Sequence, residues 1–564
     1  MPPQPSRRAW PWRLALWLAA AAASAAALAV AATTAGLFRV GPLAAAVTYY
    51  VSPAGNDGAQ GTSPGTAWRT LARASAAVLR PGDRLLLQGG ARFTGRLALG
   101  PGDAGDPARP VRIGSYGTGR ATIEGAGSGI VVTDTAGLDI SGLRITARRA
   151  APPGAGIVLF SDLSRRHRLA HVVISGVDVS GFENGILIGA SGRTGFAGVR
   201  ISDSVVHGNL ASGISSYGPP FDPRAPAYPH ARIVITGVRA YGNLGDPRAT
   251  GNTGNGIVLG GVAGGRIAWS TAYGNGGRGR SVTEGPVGIW TYDSTGIVIE
   301  HDLSYGNHSP NAHDGGGFGL DQNTSRCVLQ YDLSYGNWGP GFLIYTGRRN
   351  GADTGDVARF DISSGDARVP HGSGGILVAG WVRDVAVYQD TVVTGAWSGG
   401  VHAPLRLGRS VRGVTVRNSI FVAASRPGPL AYSPWPLRRG QALLQGNDYY
   451  EAAPAPPGAP AWSVGWGGVS YRSLPAWRAA TGQETLAGRP AGTTANPRLA
   501  GPVLGLTARS ARRAVAGAAG LRLAPGSPAR GAGLNLRRLF GIDPGPADFA
   551  GQPVTPGRLN LGAW

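Results

Sequence analysis

The chain has 564 residues, and its 93 glycines and 42 prolines argue against long uninterrupted helices. A hydrophobic content of 42% excludes a disordered chain, and a single cysteine, Cys327, excludes an intramolecular disulfide. All 53 basic residues are arginine and the net charge is +22, which favours anionic partners such as acidic polysaccharide; no Arg-rich helix or binding motif indicates nucleic acid.

The first residues predict an export signal. Three arginines precede a charge-free run from Leu14 to Phe38, and Ala44 and Ala46 are the small residues that a cleavage site needs. The run is also long enough to span a bilayer. Residues 1–46 are therefore predicted to be either a cleaved signal peptide or a retained anchor that tethers the protein to the membrane. In both cases the rest of the chain is expected outside the cytoplasm, extracellular or at the cell surface.

Residues 47–125 are predicted to form an N-terminal cap and the first coils of a repeating fold. Tyr49 to Val51 has the pattern of a strand, and the next apolar residues fit one face of a short helix: Trp68, Leu71, Val78 and Leu79. A single amphipathic helix at the start of a β-rich chain is typical of a cap over an open end.

From residue 126 to about residue 450 the chain repeats itself. Short units open with glycine and an apolar residue, at Ile130, Ile157, Ile186, Ile214, Ile257, Ile289, Phe318, Phe342, Ile376 and Val401. A second motif ends in Gly-Asn, at Asn209, Asn243, Asn275, Asn307 and Asn337. Such a period is typical of a solenoid, because stacked coils bury an apolar face that one coil cannot bury alone.

We therefore predict an all-β fold, a right-handed parallel β-helix with an N-terminal capping helix and an irregular C-terminal cover. A propeller or sandwich would need antiparallel hairpins, and two-residue hairpin turns are scarce. The repeated asparagines are expected to bond to one another along the axis. Asp302 and Asp332 recur at one coil position, which indicates a structural role. Residues 451–564 are expected to pack on the solenoid as an extension.

Three parts of the chain resemble secreted right-handed β-helix proteins of the pectate-lyase-like superfamily. They are the opening YYVSPAGNDGAQGTSPGTAWRTLARA with LRPGDRLLL, the repeated coils, and the closing LRLAPGSPARGAG, DFAGQP and NLGAW. The resemblance covers nearly all of the mature chain and implies the fold and export. That superfamily includes polysaccharide lyases, glycoside hydrolases, uronan epimerases and non-catalytic surface proteins, so the resemblance does not select a reaction.

The repeat alignment sets one acid on the outer face of the solenoid. Side chains alternate along a strand, so Asp321, three residues after the inward Phe318, is expected to face solvent. Tyr292 and Tyr345 occupy the equivalent outward position in the neighbouring coils. Trp290 occupies the other outward position of its strand, one residue after the inward Ile289. Exposed aromatic rings beside a carboxylate suit sugar rings. Alternatively, the aromatic residues only stack on one another or lie under a loop.

Long loops bring further polar residues towards this row. The candidate catalytic residues are Asp321, Asp293, Asp314, Glu284 and His313. The candidate substrate-binding residues are Tyr292, Tyr345, Trp290, Trp338 and Arg348. Each has a structural alternative: a turn residue, a partner of a surface arginine, or a solvated loop side chain.

The proposed chemistry depends on paired acids. Stacked positions lie roughly 5 Å apart, carboxyls about 5–5.5 Å apart suit a retaining glycosidase, and about 6.5–9.5 Å suits an inverting one. Crowding would raise one pKa and supply a general acid. Lytic cleavage of an acidic glycan stays open, because Tyr345 and Arg348 could serve it. No Asp-Pro-His-Asp run indicates epimerisation.

The sequence therefore predicts an exported, monomeric, carbohydrate-active protein that cleaves a polysaccharide, by hydrolysis or by lysis. The alternative is a non-catalytic glycan-binding or structural protein at the cell surface. No resident cofactor is expected. Calcium could bind clustered aspartates, although the sequence has no EF-hand pattern.

Overall fold

The computed structural model describes residues 45–148, 154–165, 167–311, 313–348, 350–395, 397, 399–424, 428–452, 461–555 and 557–564. Residues Ala46–Trp564 form one unit. The predicted export segment, with its charge-free run 14–38, lies outside the described residues.

Among the described residues, three long sheets of 14, 14 and 13 strands form the walls of a right-handed parallel β-helix. The strands of the first sheet are Thr48–Val51, Arg84–Gln88, Val111–Tyr116, Leu138–Ser141, Leu169–Ser175, Phe196–Ser202, His230–Thr236, Val262–Ala268, Thr295–Glu300, Val328–Gln330, Val357–Arg359, Ala386–Tyr388, Val414–Arg417 and Ala442–Gln445. Those of the second sheet are Leu97–Leu99, Ile130–Thr133, Ala155–Ser161, Asn184–Ala190, Ser212–Tyr217, Asn255–Gly260, Val287–Tyr292, Gly316–Asp321, Phe342–Thr346, Gly374–Gly380, Ala403–Leu407, Pro429–Ser433, Ser463–Trp466 and Val469–Tyr471.

The third sheet completes each coil. Its strands are Arg92–Thr94, Thr122–Gly125, Arg144–Ala147, Asp178–Ser180, Val205–His207, Arg239–Tyr241, Thr271–Tyr273, Leu303–Tyr305, Leu333–Tyr335, Ile362–Ser364, Thr391–Thr394, Ile420–Ala423 and Asp448–Glu451. Neighbouring strands are parallel, except that Val469–Tyr471 pairs antiparallel with Ser463–Trp466 at the end of the second sheet. The predicted fold class is confirmed.

The core follows the alternation that the repeats predict. Ile257, Ile289, Phe318, Phe342 and Ile376 are fully buried and lie on successive strands of the second sheet. The rings of Phe318 and Phe342 stack with centroids 5.1 Å apart. In-register stacking of apolar residues holds the coils together, because each coil covers the apolar edge of its neighbour.

An asparagine ladder runs along the axis, as the Gly-Asn repeats predict. The amide Nδ2 of Asn209 donates to Asn243 Oδ1 at 3.0 Å, and the same contact joins the next members. The series ends where Asn337 Nδ2 donates to Asp366 Oδ1 at 2.9 Å. Buried amides that satisfy one another in this way fix the coil spacing and specify the register.

Asp302 and Asp332 have the structural position predicted for them. Both are fully buried, and the backbone N–H of Asp302 donates to Asp332 Oδ1 at 2.8 Å. Buried side-chain acceptors that take backbone N–H groups from the neighbouring coil replace the hydrogen bonds that the turn backbone lacks.

The N-terminal end is closed by a helix shorter than predicted, Leu71–Ser75. The Thr70 side chain caps it by accepting the Arg73 N–H. Of the four residues predicted for one helix face, only Leu71 lies in the helix. Trp68 and Leu79 are buried but lie outside it, and Val78 lies beyond it and is 62% exposed, so that part of the prediction is wrong. A capped helix over the first coil removes apolar surface and a sheet end from water.

The C-terminal segment first closes the other end and then returns along the third sheet. Helix Leu474–Thr481 sets the fully buried Trp477 against Trp466, with ring centroids 5.6 Å apart. The remaining helices are Ala514–Gly517 and Leu536–Phe540, and the 3₁₀ turns are Pro64–Thr66, Ala511–Arg513 and Ala519–Leu521. A two-stranded ribbon joins Thr485–Leu486 with Arg489–Pro490. In the described part of the chain, none of the helices has the length and hydropathy of a membrane span.

Candidate functional site

The outer face of the second sheet sets Asp321 between two tyrosines. Asp321 pairs with Tyr345 on the next strand. On the preceding strand Thr291 pairs with Leu320, which places Tyr292 beside Asp321. The coils stack in register, so residues about thirty positions apart in sequence become neighbours, and the predicted row is present.

The Asp321 carboxyl is on the outer face but is withdrawn from water. The residue is half-buried, and among the described residues its buried Oδ1 has no hydrogen-bond partner. Burial raises the pKa of Asp321 well above its usual value, and repulsion from Asp314, Glu284 and Asp293 adds to the rise. Asp321 thus occupies the predicted outward position, but the surrounding groups desolvate it, so the carboxyl faces solvent only in part.

Asp314 and Glu284 come from the loops that precede two consecutive strands of the second sheet. The Gly285 N–H donates to Asp314 Oδ2 at 2.8 Å and so joins the two loops. Burial, with repulsion from Glu284, raises the pKa of Asp314 to about 6. The φ of +56° at Asp314 also makes it a turn residue. The structure thus brings Asp321, Asp314 and Glu284 into one acidic group, with Glu284 exposed at its rim.

Asp293 and His313 have weaker links to this group. Asp293 lies in a turn at φ +46°, and its Oδ1 accepts a hydrogen bond from Asn323 Nδ2 at 2.5 Å. Its charge still acts on Asp321. His313 is exposed, and its backbone N–H donates to Asn311 Oδ1 at 2.7 Å. Asp293 therefore supports the turn behind the acid, and His313 lies on the loop that carries Asp314.

The ring of Tyr292 packs against the preceding coil and is not open for a ligand to stack on. A Cβ atom on Gly260, in the preceding coil, would lie 2.2 Å from Tyr292 Cζ, so the ring lies over that glycine. The hydroxyl donates to the Ser216 carbonyl at 3.3 Å. Tyr217 covers Gly189 in the same way. The half-buried ring of Tyr292 forms one wall beside Asp321 but does not offer a free face.

The prediction that Trp290 exposes a ring for sugar stacking is wrong. Its side chain is 8% exposed and packs with Val258 and Val287. The indole N–H donates to Asn255 Oδ1 at 3.0 Å. An outward slot does not guarantee exposure, because side chains of the same and the preceding coil cover this ring.

Accessible aromatic surface lies on the other side of Asp321. Tyr345 is 38% exposed. Arg348 is exposed, and its guanidinium carbon lies 5.9 Å from the centre of the Trp381 ring. Trp338 is half-buried, its ring centre lies 4.3 Å from that of His308, and its N–H donates to the Asn311 carbonyl at 3.3 Å. Trp338 therefore braces the loop that carries Asp314.

Two further arginine–aromatic pairs continue this surface and were missed in the sequence. The Arg406 guanidinium lies 5.2 Å from the Tyr432 ring centre, and that of Arg409 lies 5.8 Å from the Trp435 ring centre. Trp435 is 44% exposed, and Arg409 is close enough to Tyr345 to affect its titration. Extending the repeat alignment past Val401 would have placed Arg406 and Tyr432 in register.

A buried acid, Asp353, also lies close to Asp321 and was missed. Asp353 is fully buried, and its Oδ1 accepts the Thr324 N–H at 3.0 Å. Burial and repulsion from Asp356 and Asp321 raise the pKa of Asp353 well above its usual value. It follows a loop of irregular length, so the repeat pattern gives no signal for it.

The described residues contain no group of three or more His, Cys, Asp or Glu side chains arranged to hold a metal ion. Calcium binding stays a prediction from the sequence.

Comparisons with known proteins find only distant similarities to solved structures. No protein-family model and no curated protein matches the sequence. A GH136 lacto-N-biosidase from Eubacterium ramulus is 16% identical, with 61% of this chain and 64% of that one covered and a TM-score of 0.47; the match thus spans less than two thirds of the biosidase. Pectate lyase Pel9A is 16% identical over 93% of this chain and 97% of that one, with a TM-score of 0.39. The A-module of the Azotobacter vinelandii mannuronan C-5 epimerase AlgE4 is 15% identical over 68% and 91%, with a TM-score of 0.40. The parallel sheets of this chain themselves confirm the fold that the predicted resemblance to pectate-lyase-like β-helix proteins implies.

Proposed function

We propose that the protein is a polysaccharide-degrading glycoside hydrolase whose general acid is Asp321. The observation that carries this proposal is the state of that carboxyl: it is withdrawn from water, has no donor at Oδ1 among the described residues, and lies near Asp314 and Glu284. Burial raises the pKa of this carboxyl and so favours its protonated form, and a general acid must carry a proton to the leaving glycosidic oxygen.

A second carboxyl with a lower pKa suits the partner role. Asp314, with a pKa of about 6, is mostly ionised at neutral pH. As a carboxylate it would activate water or attack the anomeric carbon, according to its separation from the acid across the bound sugar. The pair Asp321 and Asp314 thus has the unequal titration that divides acid from base in glycosidases.

The surface beyond Asp321 suits a polysaccharide that carries negative charge. Tyr345 offers a partly open ring, and arginines lie over aromatic rings at Arg348, Arg406 and Arg409. Arginine guanidinium groups pair with sugar carboxylates in a planar, bidentate geometry. An acidic glycan is therefore the proposed substrate.

Lytic cleavage is the second candidate, and the charges around Tyr345 disfavour it. Lysis needs a base that removes a proton next to the uronate carboxyl. Burial, together with Asp321 and Asp314, raises the pKa of Tyr345, so a smaller fraction of its phenol is ionised to the phenolate that could act as this base. Hydrolysis by the acid pair therefore ranks first.

Export and action as a monomer belong to this proposal. The charge-free run after the N-terminal arginines supports export, since a secreted or surface-held enzyme meets polysaccharide outside the cytoplasm.

The proposal is tested by incubating the purified protein with a panel of acidic and neutral polysaccharides. Hydrolysis releases saturated reducing ends, whereas lysis gives unsaturated products that absorb in the ultraviolet. We expect saturated products from an acidic glycan, and a loss of about 10²–10⁴-fold in kcat for Asp321→Asn. Glu124→Gln, a distant acid paired with Arg92, is the matched control and should be unchanged. Binding without cleavage would identify the non-catalytic alternative.

A further inference from the structure

Four buried aspartates run along the axis through the coils that carry the candidate site. These residues, named here the acidic ladder, are Asp302, Asp332, Asp361 and Asp390. Each directly precedes a strand of the third sheet. The coils of the first three also carry, on the second sheet, Tyr292, Asp321 and Tyr345. The ladder thus runs through the same coils as the proposed acid.

One oxygen of each ladder carboxyl is bonded and the other is not. The N–H of Asp302 donates to Asp332 Oδ1 at 2.8 Å, and the contact recurs from Asp332 to Asp361 and from Asp361 to Asp390, both at 2.9 Å. Asp302 Oδ1 accepts the Ser270 N–H. All four residues are fully buried, and among the described residues the Oδ2 atom of each has no hydrogen-bond partner.

The charges around the ladder do not neutralise it. Arg266 pairs with Glu300 on the first sheet, and Arg359 donates to Gln330 Oε1 at 2.8 Å. The C-terminal segment adds Asp543, whose backbone carbonyl accepts from Arg359. The titratable groups on the coils that interact electrostatically with the ladder are Arg266, Glu300, Tyr331, Arg359 and Tyr388, and His301 interacts with Glu300 and Arg266. Stacked carboxylates in an apolar interior would repel one another and lack solvation.

We propose that the acidic ladder is held as neutral carboxylic acids and forms a pH-sensitive lock on the coils of the candidate site. In the protonated state the carbonyl oxygen of each acid accepts a backbone N–H and the ladder carries no charge. Loss of protons as the pH rises places negative charges on adjacent coils, which weakens the packing of this stretch of the β-helix. Asn209, Asn243, Asn275 and Asn307 make the same kind of coil-to-coil contact with side chains that do not titrate, before the series ends at Asp366.

The sign of the pH effect follows from proton binding. Burial raises the pKa of all four ladder residues well above the usual value. Unfolded aspartate titrates near pH 3.9, so above that pH the folded chain holds more protons than the unfolded chain. The lock is therefore fully effective in acid and is lost as the pH rises through the folded pKa values. Each such carboxyl raises the unfolding constant up to about tenfold per pH unit in this window.

Hydrogen exchange of the whole protein tests the lock without any substitution. The backbone amides of Asp302, Asp332 and Asp361 are bonded within the acidic ladder, and those of Asn243 and Asn275 are bonded within the asparagine ladder. After correction for base catalysis, we expect protection in the acidic ladder to fall at least about tenfold between about pH 4 and alkaline pH. Protection in the asparagine ladder should fall less. An equal fall in both ladders would overturn the proposal.

A substitution gives the second test. The double variant Asp332→Asn and Asp361→Asn keeps an acceptor for each N–H but removes two titrating groups. We expect its denaturant midpoint to fall less steeply with rising pH than that of the unaltered protein. Asp384→Asn, an exposed aspartate in a turn, is the matched control. If the double variant keeps the full pH slope, the ladder is not the lock; if it fails to fold, the exchange experiment decides.

Discussion

Asp321 and Tyr345 are register partners on adjacent parallel strands. The carboxyl is half-buried and lacks a donor at Oδ1 among the described residues, while the phenol ring is 38% exposed. A ligand that lies on the ring would therefore meet a carboxyl with one oxygen that is not hydrogen-bonded to another described group. This arrangement suits proton donation to a bound polysaccharide.

The value of kcat/KM should first rise and then fall as the pH increases. It should rise as Asp314 ionises, through a pKa of about 6, and fall when Asp321 loses its proton at higher pH. The dependence of kcat/KM on pH measures both limbs. Asp314→Asn should remove the acidic limb together with most of the activity. A rate that already falls above about pH 4 would contradict the assignment, because an ordinary carboxyl would then be the acid.

The arginine–aromatic surface should set the preference for charged substrates. Arg409→Ala removes one guanidinium from above the exposed Trp435. We expect KM for an acidic glycan to rise about tenfold with little change in kcat, because the interaction holds substrate and transition state alike. Arg84→Ala, an exposed arginine on the first sheet, is the control and should leave KM unchanged. Equal effects of the two variants would show that net charge alone attracts the substrate.

The contact of Tyr292 with Gly260 should be essential for packing. The added methyl of Gly260→Ala would lie 2.2 Å from Tyr292 Cζ, so the ring must leave its position. We expect a loss of about 1–3 kcal/mol in the free energy of unfolding. Gly100→Ala, where nothing lies within 4 Å, is the control. Denaturant unfolding of both variants measures this loss. An unchanged midpoint for Gly260→Ala would show that the Tyr292 ring can adopt another conformation at no cost in stability.

The asparagine ladder should contribute strongly to stability. Asn275 Oδ1 accepts from Asn243, and Asn275 Nδ2 donates to Asn307 Oδ1 at 3.0 Å. Asn275→Ala leaves these buried groups unpaired, so we expect a loss of about 3 kcal/mol in the free energy of unfolding. Asn496→Ala, at an exposed position, should cost far less. Thermal unfolding measures the stability of both variants. Equal losses in the free energy of unfolding would mean that water replaces the missing Asn275 amide.

The sequence predicts those features that depend on local periodicity. Alternating burial identifies Phe318 and Leu320 as inward residues, and the Gly-Asn repeats predict the asparagine ladder. Register then places Tyr292, Asp321 and Tyr345 in one row. These predictions hold because one coil repeats the geometry of the next.

Features that depend on a neighbouring coil's side chains could not be predicted from one strand. Trp290 is buried because Asn255 and Val258 lie beside it, and Tyr292 is packed because the preceding coil presents Gly260. Asp353 approaches Asp321 through an irregular loop. Strand alternation alone therefore predicts more ligand-accessible aromatic surface than the structure has.

The central claim, that Asp321 donates the proton, is tested most directly by changing the leaving group of the substrate. Asp321→Asn and the unaltered protein should be compared on the natural glycan and on an aryl glycoside whose leaving group needs no protonation. The account predicts a loss in kcat of about 10²–10⁴-fold on the glycan and a much smaller loss on the aryl glycoside. Equal losses on both substrates, or none on the glycan, would contradict it.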